Sequence, residues 1–101
     1  MSYRDLEMKV IQWGEARRIV QNSTPRAQLK KTVEEVKELR DAIASGDVAA
    51  MKDAYGDILV TLIMGCATAD IDLVSCLKLA YDEIKDRKGY LTPDGIFVKE
   101  A

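Results

Sequence analysis

Apolar residues recur at helical spacing along most of this chain. Leu6, Val10, Trp13 and Val20 predict a first helix over about Asp5 to Asn22. Ser23-Thr24-Pro25 then predicts a stop and a restart, a hydroxyl cap followed by proline at a first helical position. The second predicted helix runs to about Ser45, with Leu29, Val33, Val36, Leu39 and Ile43 as its apolar stripe; Gly46 ends it and Asp47 caps the next. The third, about Val48 to Ala69, is apolar nearly all round from Tyr55 onward, the pattern of a central buried helix. Asp72 caps a fourth, which carries Leu73, Leu77, Ala80, Tyr81 and Ile84 and ends at Lys88-Gly89. Pro93-Asp94-Gly95 marks a turn in the tail, and Ile96-Phe97-Val98 a short extended piece. The expected fold class is all-α, a four-helix bundle-type domain over residues 1–101 with a short irregular C-terminal tail.

Composition narrows the chemistry. A net charge of −2 offers no general attraction to nucleic acid or to acidic membranes, so neither is an expected partner. The absence of histidine removes Ser-His-Asp and Cys-His catalysis and every zinc site that needs an imidazole. Cys66 and Cys76 fall in apolar helical stretches and are expected to be reduced, buried packing residues. The N-terminus has no apolar run fit for a signal peptide, and Ile58 to Ala69 is too short to span a bilayer. A soluble, cytoplasmic protein is expected, one that completes its small core by oligomerising.

The remaining chemistry is acidic. Glu35 and Glu38 stand three apart on the second predicted helix, Asp53 and Asp57 four apart on the third, so each pair projects from one side of its helix. The corner at Gly46–Asp47 folds the two helices back on each other, and their acidic faces can meet. Facing carboxylates repel and resist ionising together unless a cation lies between them. With oxygen ligands only, that cation is Mg²⁺ or Mn²⁺. The bland alternatives are a solvated Glu-Glu-x-x-Glu face, a helix-dipole role for Asp53 and an ordinary ion pair for Asp57. Asp57 resists its alternative best, because it directly precedes Ile58-Leu59-Val60 on the most apolar helix.

A second, basic group follows in Glu-Ile-Lys-Asp-Arg-Lys-Gly at 83–89. Lys85, Arg87 and Lys88 either compensate a helix C-terminus or clamp phosphate beside the acidic cage.

With these residues in place, the chain resembles the all-α nucleoside triphosphate pyrophosphohydrolases, the MazG-like family. Glu34, Glu35 and Glu38 match its Glu-Glu-x-x-Glu, and Asp57 matches the last residue of its Glu-x-x-Asp. Trp-Gly-Glu-Ala-Arg, Gln-Leu-Lys-Lys-Thr-Val-Glu-Glu, Lys-Asp-Ala-Tyr-Gly-Asp and the Gly-Ile-Phe-Val-Lys tail are similar to short, often phage-borne members, so the likeness spans almost the whole chain. Two positions depart from the pattern. Ala54 replaces the Glu of Glu-x-x-Asp, with Asp53 the nearest acid, and Asp82 stands where many relatives carry Asn.

The resemblance implies hydrolysis of a (deoxy)nucleoside triphosphate between the α- and β-phosphates, in the cytoplasm of a bacterium or phage-infected host, by a homodimer or homotetramer. Glu35, Glu38 and Asp57, with Asp53 and Glu34 as further candidates, are expected to hold Mg²⁺, and Mn²⁺ is expected to substitute. Glu35 or Glu34 would accept the proton of the attacking water, a choice that spacing leaves open. Lys31, Lys85, Arg87 and Lys88 would steady the phosphates. Trp13 would stack on the base or fill the core. A purine dNTP such as dGTP is the expected substrate. Alternatives within the fold are dUTP, dCTP or a nucleoside diphosphate, and outside it a non-catalytic helical oligomerisation or adaptor bundle.

Overall fold

Ser2 opens the first helix in the computed structural model, which describes residues 1–101. Its hydroxyl accepts from the Asp5 amide at 3.1 Å, and the Asp5 carboxylate accepts from the Ser2 amide at 3.1 Å, a reciprocal cap. Helix α1 (Tyr3–Ala16) follows. The helix expected to reach Asn22 breaks at Arg17–Arg18, where Arg18 adopts φ 63°, and resumes as the single turn α2 (Ile19–Asn22). Neither glycine nor proline marks this break. Side-chain amides hold it instead: Asn22 Nδ2 donates to the Arg18 carbonyl at 2.9 Å and Gln21 Nε2 to the Glu15 carbonyl at 3.3 Å.

Helices α3 (Pro25–Ser45) and α4 (Val48–Thr68) form the antiparallel hairpin on which the rest is built. Thr24 Oγ1 accepts from the Ala27 amide at 3.1 Å, Pro25 takes the first turn, and Gly46 closes α3 at φ 68°. Asp47 Oδ1 then accepts from the Ala50 amide at 3.0 Å and starts α4.

The face that α3 turns to α4 is not the expected apolar stripe. Gln28, Thr32, Glu35 and Leu39 are half-buried and Ala42 is buried, whereas Leu29 (61% exposed), Val33, Val36 and Ile43 face outward. On α4, Ala54 and Thr61 are buried while Tyr55 (59% exposed), Leu59 and Leu62 are exposed. The exposed sets stand one residue beyond the buried ones on both helices. In an antiparallel pair that step turns both sets to the same side, so they form one apolar face. The expectation that α4 is a central buried helix therefore fails within a single chain: α1 and α2 cover one side of it and nothing covers the other.

Gly14 lets α1 approach α4. A Cβ there would collide with Met64 Sδ and lie 3.3 Å from Val20 Cγ2, and Met64 is only 2% exposed. Arg4 joins the start of α1 to the start of α5 (Leu73–Ile84). Its Nη1 donates to Glu7 Oε1 at 2.6 Å and to Asp72 Oδ1 at 2.7 Å, and Tyr3 Oη donates to Glu7 Oε2 at 2.9 Å. These bonds compensate the buried Glu7, and burial with Glu7 as neighbour pushes the Tyr3 phenol up. Arg4, then Ser75, hold the Asp72 carboxyl below its ordinary range. Asp72 therefore stands at the cap position with its carboxylate committed to Arg4 and to Ser75 Oγ (2.8 Å), not to a backbone amide.

Helix α5 has no buried residue and ends at Ile84, four residues before Lys88. The tail is more regular than expected. Strands β1 (Gly89–Leu91) and β2 (Phe97–Lys99) pair antiparallel, with Gly89 opposite Lys99 and Leu91 opposite Phe97. Gly89 is required here, since a Cβ would run into the Val98 carbonyl. Cys66 and Cys76 are free thiols and half-buried rather than buried; burial, then the neighbouring Cys76, push the Cys66 thiol up. No single helix is long and apolar enough to cross a membrane. The architecture is all-α with a terminal hairpin.

Candidate functional site

The site is built on the α3–α4 seam. Thr32 Oγ1 and Thr61 Oγ1 lie 2.8 Å apart across it. Each is also within reach of a carbonyl of its own helix, Gln28 at 3.0 Å and Ile58 at 2.7 Å, so one hydroxyl donates across the seam and the other to its own backbone. Glu35 is one turn beyond Thr32 and Asp57 one turn before Thr61. The hydroxyl pair thereby sets the register that brings these carboxylates opposite each other, with Glu38 a further turn along α3.

Carboxylate oxygens of Glu35, Glu38 and Asp57 all lie within 4.8 Å of one another. Glu35 and Asp57 are half-buried and Glu38 is exposed. Glu35 Oε2 is enclosed and has no hydrogen-bond partner. Burial foremost, then Glu38, then Asp57 push the Glu35 carboxyl above its ordinary value, and Lys31 opposes them. A buried acceptor without a donor, facing two more carboxylates, fits a cation that supplies the missing charge. Oxygen donors alone fit a hard divalent ion.

Beside the carboxylates opens a cleft of about 750 Å³, within the range of small-molecule sites. Glu35 and Asp57 form part of its wall with Lys31, Gln28 and Thr61 from the hairpin, and Trp13 and Arg17 from the end of α1. The Arg17 guanidinium lies 4.7 Å from the Trp13 ring centroid and Nη1 reaches the Trp13 carbonyl at 3.3 Å. The cleft thus joins an aromatic face to an acidic cage through basic side chains.

The other candidates are placed elsewhere. Glu34 is exposed, outside the three-carboxylate cluster, and accepts from Lys31 Nζ at 3.0 Å. Asp53 is exposed and also outside the cluster. Lys85, Arg87 and Lys88 follow the end of α5 and do not line the cleft of their own chain. Lys85 Nζ lies 3.8 Å from Asp82 Oδ1, and Asp82 Oδ2 accepts from Lys78 at 2.8 Å. Arg87 and Lys88 border a separate depression with Lys99.

Sequence reasoning missed Gln28, Thr32 and Thr61. The signal was present as the polar stripe Gln28, Thr32, Glu35, but the stronger apolar stripe beside it took the core assignment. It also missed Arg18 and Asn22 on the cleft wall, where the helix was expected to run straight through.

Comparisons with known proteins place the chain in a family. An uncharacterized 18.2 kDa protein of the rep-hol intergenic region of Haemophilus phage HP1 (strain HP1c1) is 34% identical over 71 residues, covering 70% of this chain and 44% of that protein. The chain therefore spans less than half the length of this relative. No solved structure matches. A family model, described as the MazG nucleotide pyrophosphohydrolase domain, matches residues 23–91, which include both helices of the hairpin and every carboxylate of the cluster. By that match, the chain belongs to the MazG nucleotide pyrophosphohydrolase family.

Proposed function

We propose that this chain is a Mg²⁺-dependent nucleotide pyrophosphohydrolase that converts a (deoxy)nucleoside triphosphate to the monophosphate and pyrophosphate, with a purine dNTP such as dGTP as substrate and Mn²⁺ able to replace Mg²⁺. One observation carries this function: the enclosed, unpartnered Glu35 Oε2 at the head of a three-carboxylate cluster that opens into a nucleotide-sized cleft.

Glu35, Glu38 and Asp57 would hold the metal, with the exposed Asp53 outside their cluster as a further candidate. A bound divalent ion lowers the pKa of water and neutralises charge on phosphate oxygens. The water proton would pass to Glu35 or Glu38, since Glu34 lies outside the three-carboxylate cluster. Oxygen from water bonds to the α-phosphorus as the bond to the bridging oxygen breaks and pyrophosphate leaves. Trp13 offers its face to the base and Lys31 its charge to the phosphates.

The working form is a homodimer or homotetramer in the cytoplasm, built from copies of the domain spanning residues 1–101. Its support is the uncovered face of Leu29, Val33 and Val36 with Tyr55, Leu59 and Leu62, since only seven of 101 residues are buried in one chain. Assembly is also what would bring Lys85, Arg87 and Lys88 to a cleft, that of a neighbouring subunit.

The test is a screen of ribo- and deoxynucleoside triphosphates for pyrophosphate release with Mg²⁺, with Mn²⁺ and with excess chelator. Metal-dependent release from at least one triphosphate is expected, and the rates rank the bases. Absence of release from every triphosphate in either metal would refute the function.

A further inference from the structure

Two arginines on the cleft wall have no assigned role, and one of them stands in an unusual conformation. Arg18 has φ 63° and ψ 21°, a left-handed backbone that glycine adopts freely and that arginine rarely adopts, because its Cβ crowds the following carbonyl. The chain places glycine at the corresponding bends Gly46 and Gly95, and aspartate, a tolerant residue, at Asp70. Arg18 is the exception, and it is the one of these four that lines the cleft. The bend is held from outside by Asn22 and Gln21, as an over-determined strained position requires.

The charge is also uncommitted. The Arg18 guanidinium, like most of the fifteen Lys and Arg side chains, forms no ion pair, and it makes no hydrogen bond, so it is free for a ligand. Arg17, beside it, makes only its contacts to Trp13. A strained backbone in the cleft wall, carrying a guanidinium without a partner and adjoined by a second, stacked one, has the form of an anion subsite. Guanidinium forks match phosphate oxygens in pairs.

We propose that Arg17 and Arg18, at the break between α1 and α2, form the subsite that grips the polyphosphate tail of the ligand in the cleft walled by Glu35 and Asp57. The subsite lies within one chain and does not need the basic residues beyond α5. It rests on the cleft being a nucleotide site, but it is testable without turnover.

The experiment titrates the full-length chain with inorganic tripolyphosphate in Mg²⁺, followed by the emission of Trp13, the only tryptophan. Arg18→Gly removes the guanidinium and suits the backbone. It is expected to melt above wild type without ligand while binding tripolyphosphate about tenfold more weakly. Arg40→Gln makes the same charge change at an arginine that pairs only with Asp41, and is expected to bind as wild type does. Arg18→Gly with wild-type affinity, or Arg40→Gln with an equal loss, would overturn the subsite. If the tripolyphosphate result holds while no nucleoside triphosphate is hydrolysed, the subsite stands and the hydrolase function falls. If nucleotides are hydrolysed and Arg18→Gly keeps the wild-type KM, the function stands and the subsite falls.

Discussion

Thr32 and Thr61 meet hydroxyl to hydroxyl, 2.8 Å apart, one helical turn from Glu35 and Asp57 respectively. A polar pair in a helix seam contributes little net stability, but it admits one register, and this register is the one that puts the carboxylates opposite each other. Thr61→Val keeps the shape and removes the hydroxyl. Because Thr32 can still donate to the Gln28 carbonyl, urea melts should show a loss of only about 1 kcal/mol. The gain in melting temperature on adding Mg²⁺ should shrink by more than that loss implies. An unchanged Mg²⁺ response would mean that the hydroxyl pair does not set the register.

Glu35 gives the metal-free protein a specific pH dependence. Its carboxyl is raised above the ordinary 4.5, by burial first and then by Glu38 and Asp57. An acid raised in the folded state binds its proton more tightly there than in the unfolded chain. The stabilisation is therefore complete below the unfolded value and is lost as pH rises through the folded one. The metal-free melting temperature of wild type, minus that of Glu35→Gln, should fall through that window and then level off. Mg²⁺ displaces the same proton, so the Mg²⁺-induced gain should grow over the same window. A difference that does not change with pH would contradict the burial of this group.

Gly14 packs α1 directly against the Met64 side chain of α4. Gly14→Ala drives a methyl into Met64, a 2%-exposed side chain, and should destabilise by about 1–3 kcal/mol in a denaturant melt. Pairing it with Met64→Ala, which opens room for the methyl, should recover part of the loss beyond additivity. Strict additivity would place the strain elsewhere.

The uncovered apolar face predicts stability that depends on concentration. The melting temperature of wild type should rise with protein concentration, and sedimentation should give more than one chain per particle. Leu59→Lys puts a charge in the middle of that face and should yield a monomer of much lower stability. A wild-type chain that sediments as a monomer with a concentration-independent melt would show that the face needs no partner.

The helices and the cluster were legible in the sequence because their signals are local. Thr24-Pro25, Gly46 and Asp47 act within a few residues, and the structure ends and starts helices there. The spacing of Glu35, Glu38 and Asp57 depends only on two helices meeting, and their oxygens do converge. The packing faces were less legible. Leu29, Val33 and Val36 read as core, but a sequence does not tell whether an apolar stripe is covered by its own chain or by another, and here the half-polar stripe Gln28–Thr32–Glu35 takes the seam. The break at Arg18 was invisible because its residue type opposes its conformation. The first strand of the tail, Gly89–Leu91, is too short to show an alternating pattern, and its pairing with Phe97–Lys99 depends on a turn five residues long.

The most direct measurement is pyrophosphate release from deoxynucleoside triphosphates in Mg²⁺ by wild type and by Glu38→Gln, an exposed position where the change leaves the helices intact. Wild type should release pyrophosphate and Glu38→Gln should lose at least about a hundredfold, the scale of removing a charged group that acts in the transition state. Wild-type turnover in Glu38→Gln, with its helical content unchanged, would contradict a three-carboxylate metal centre in this protein.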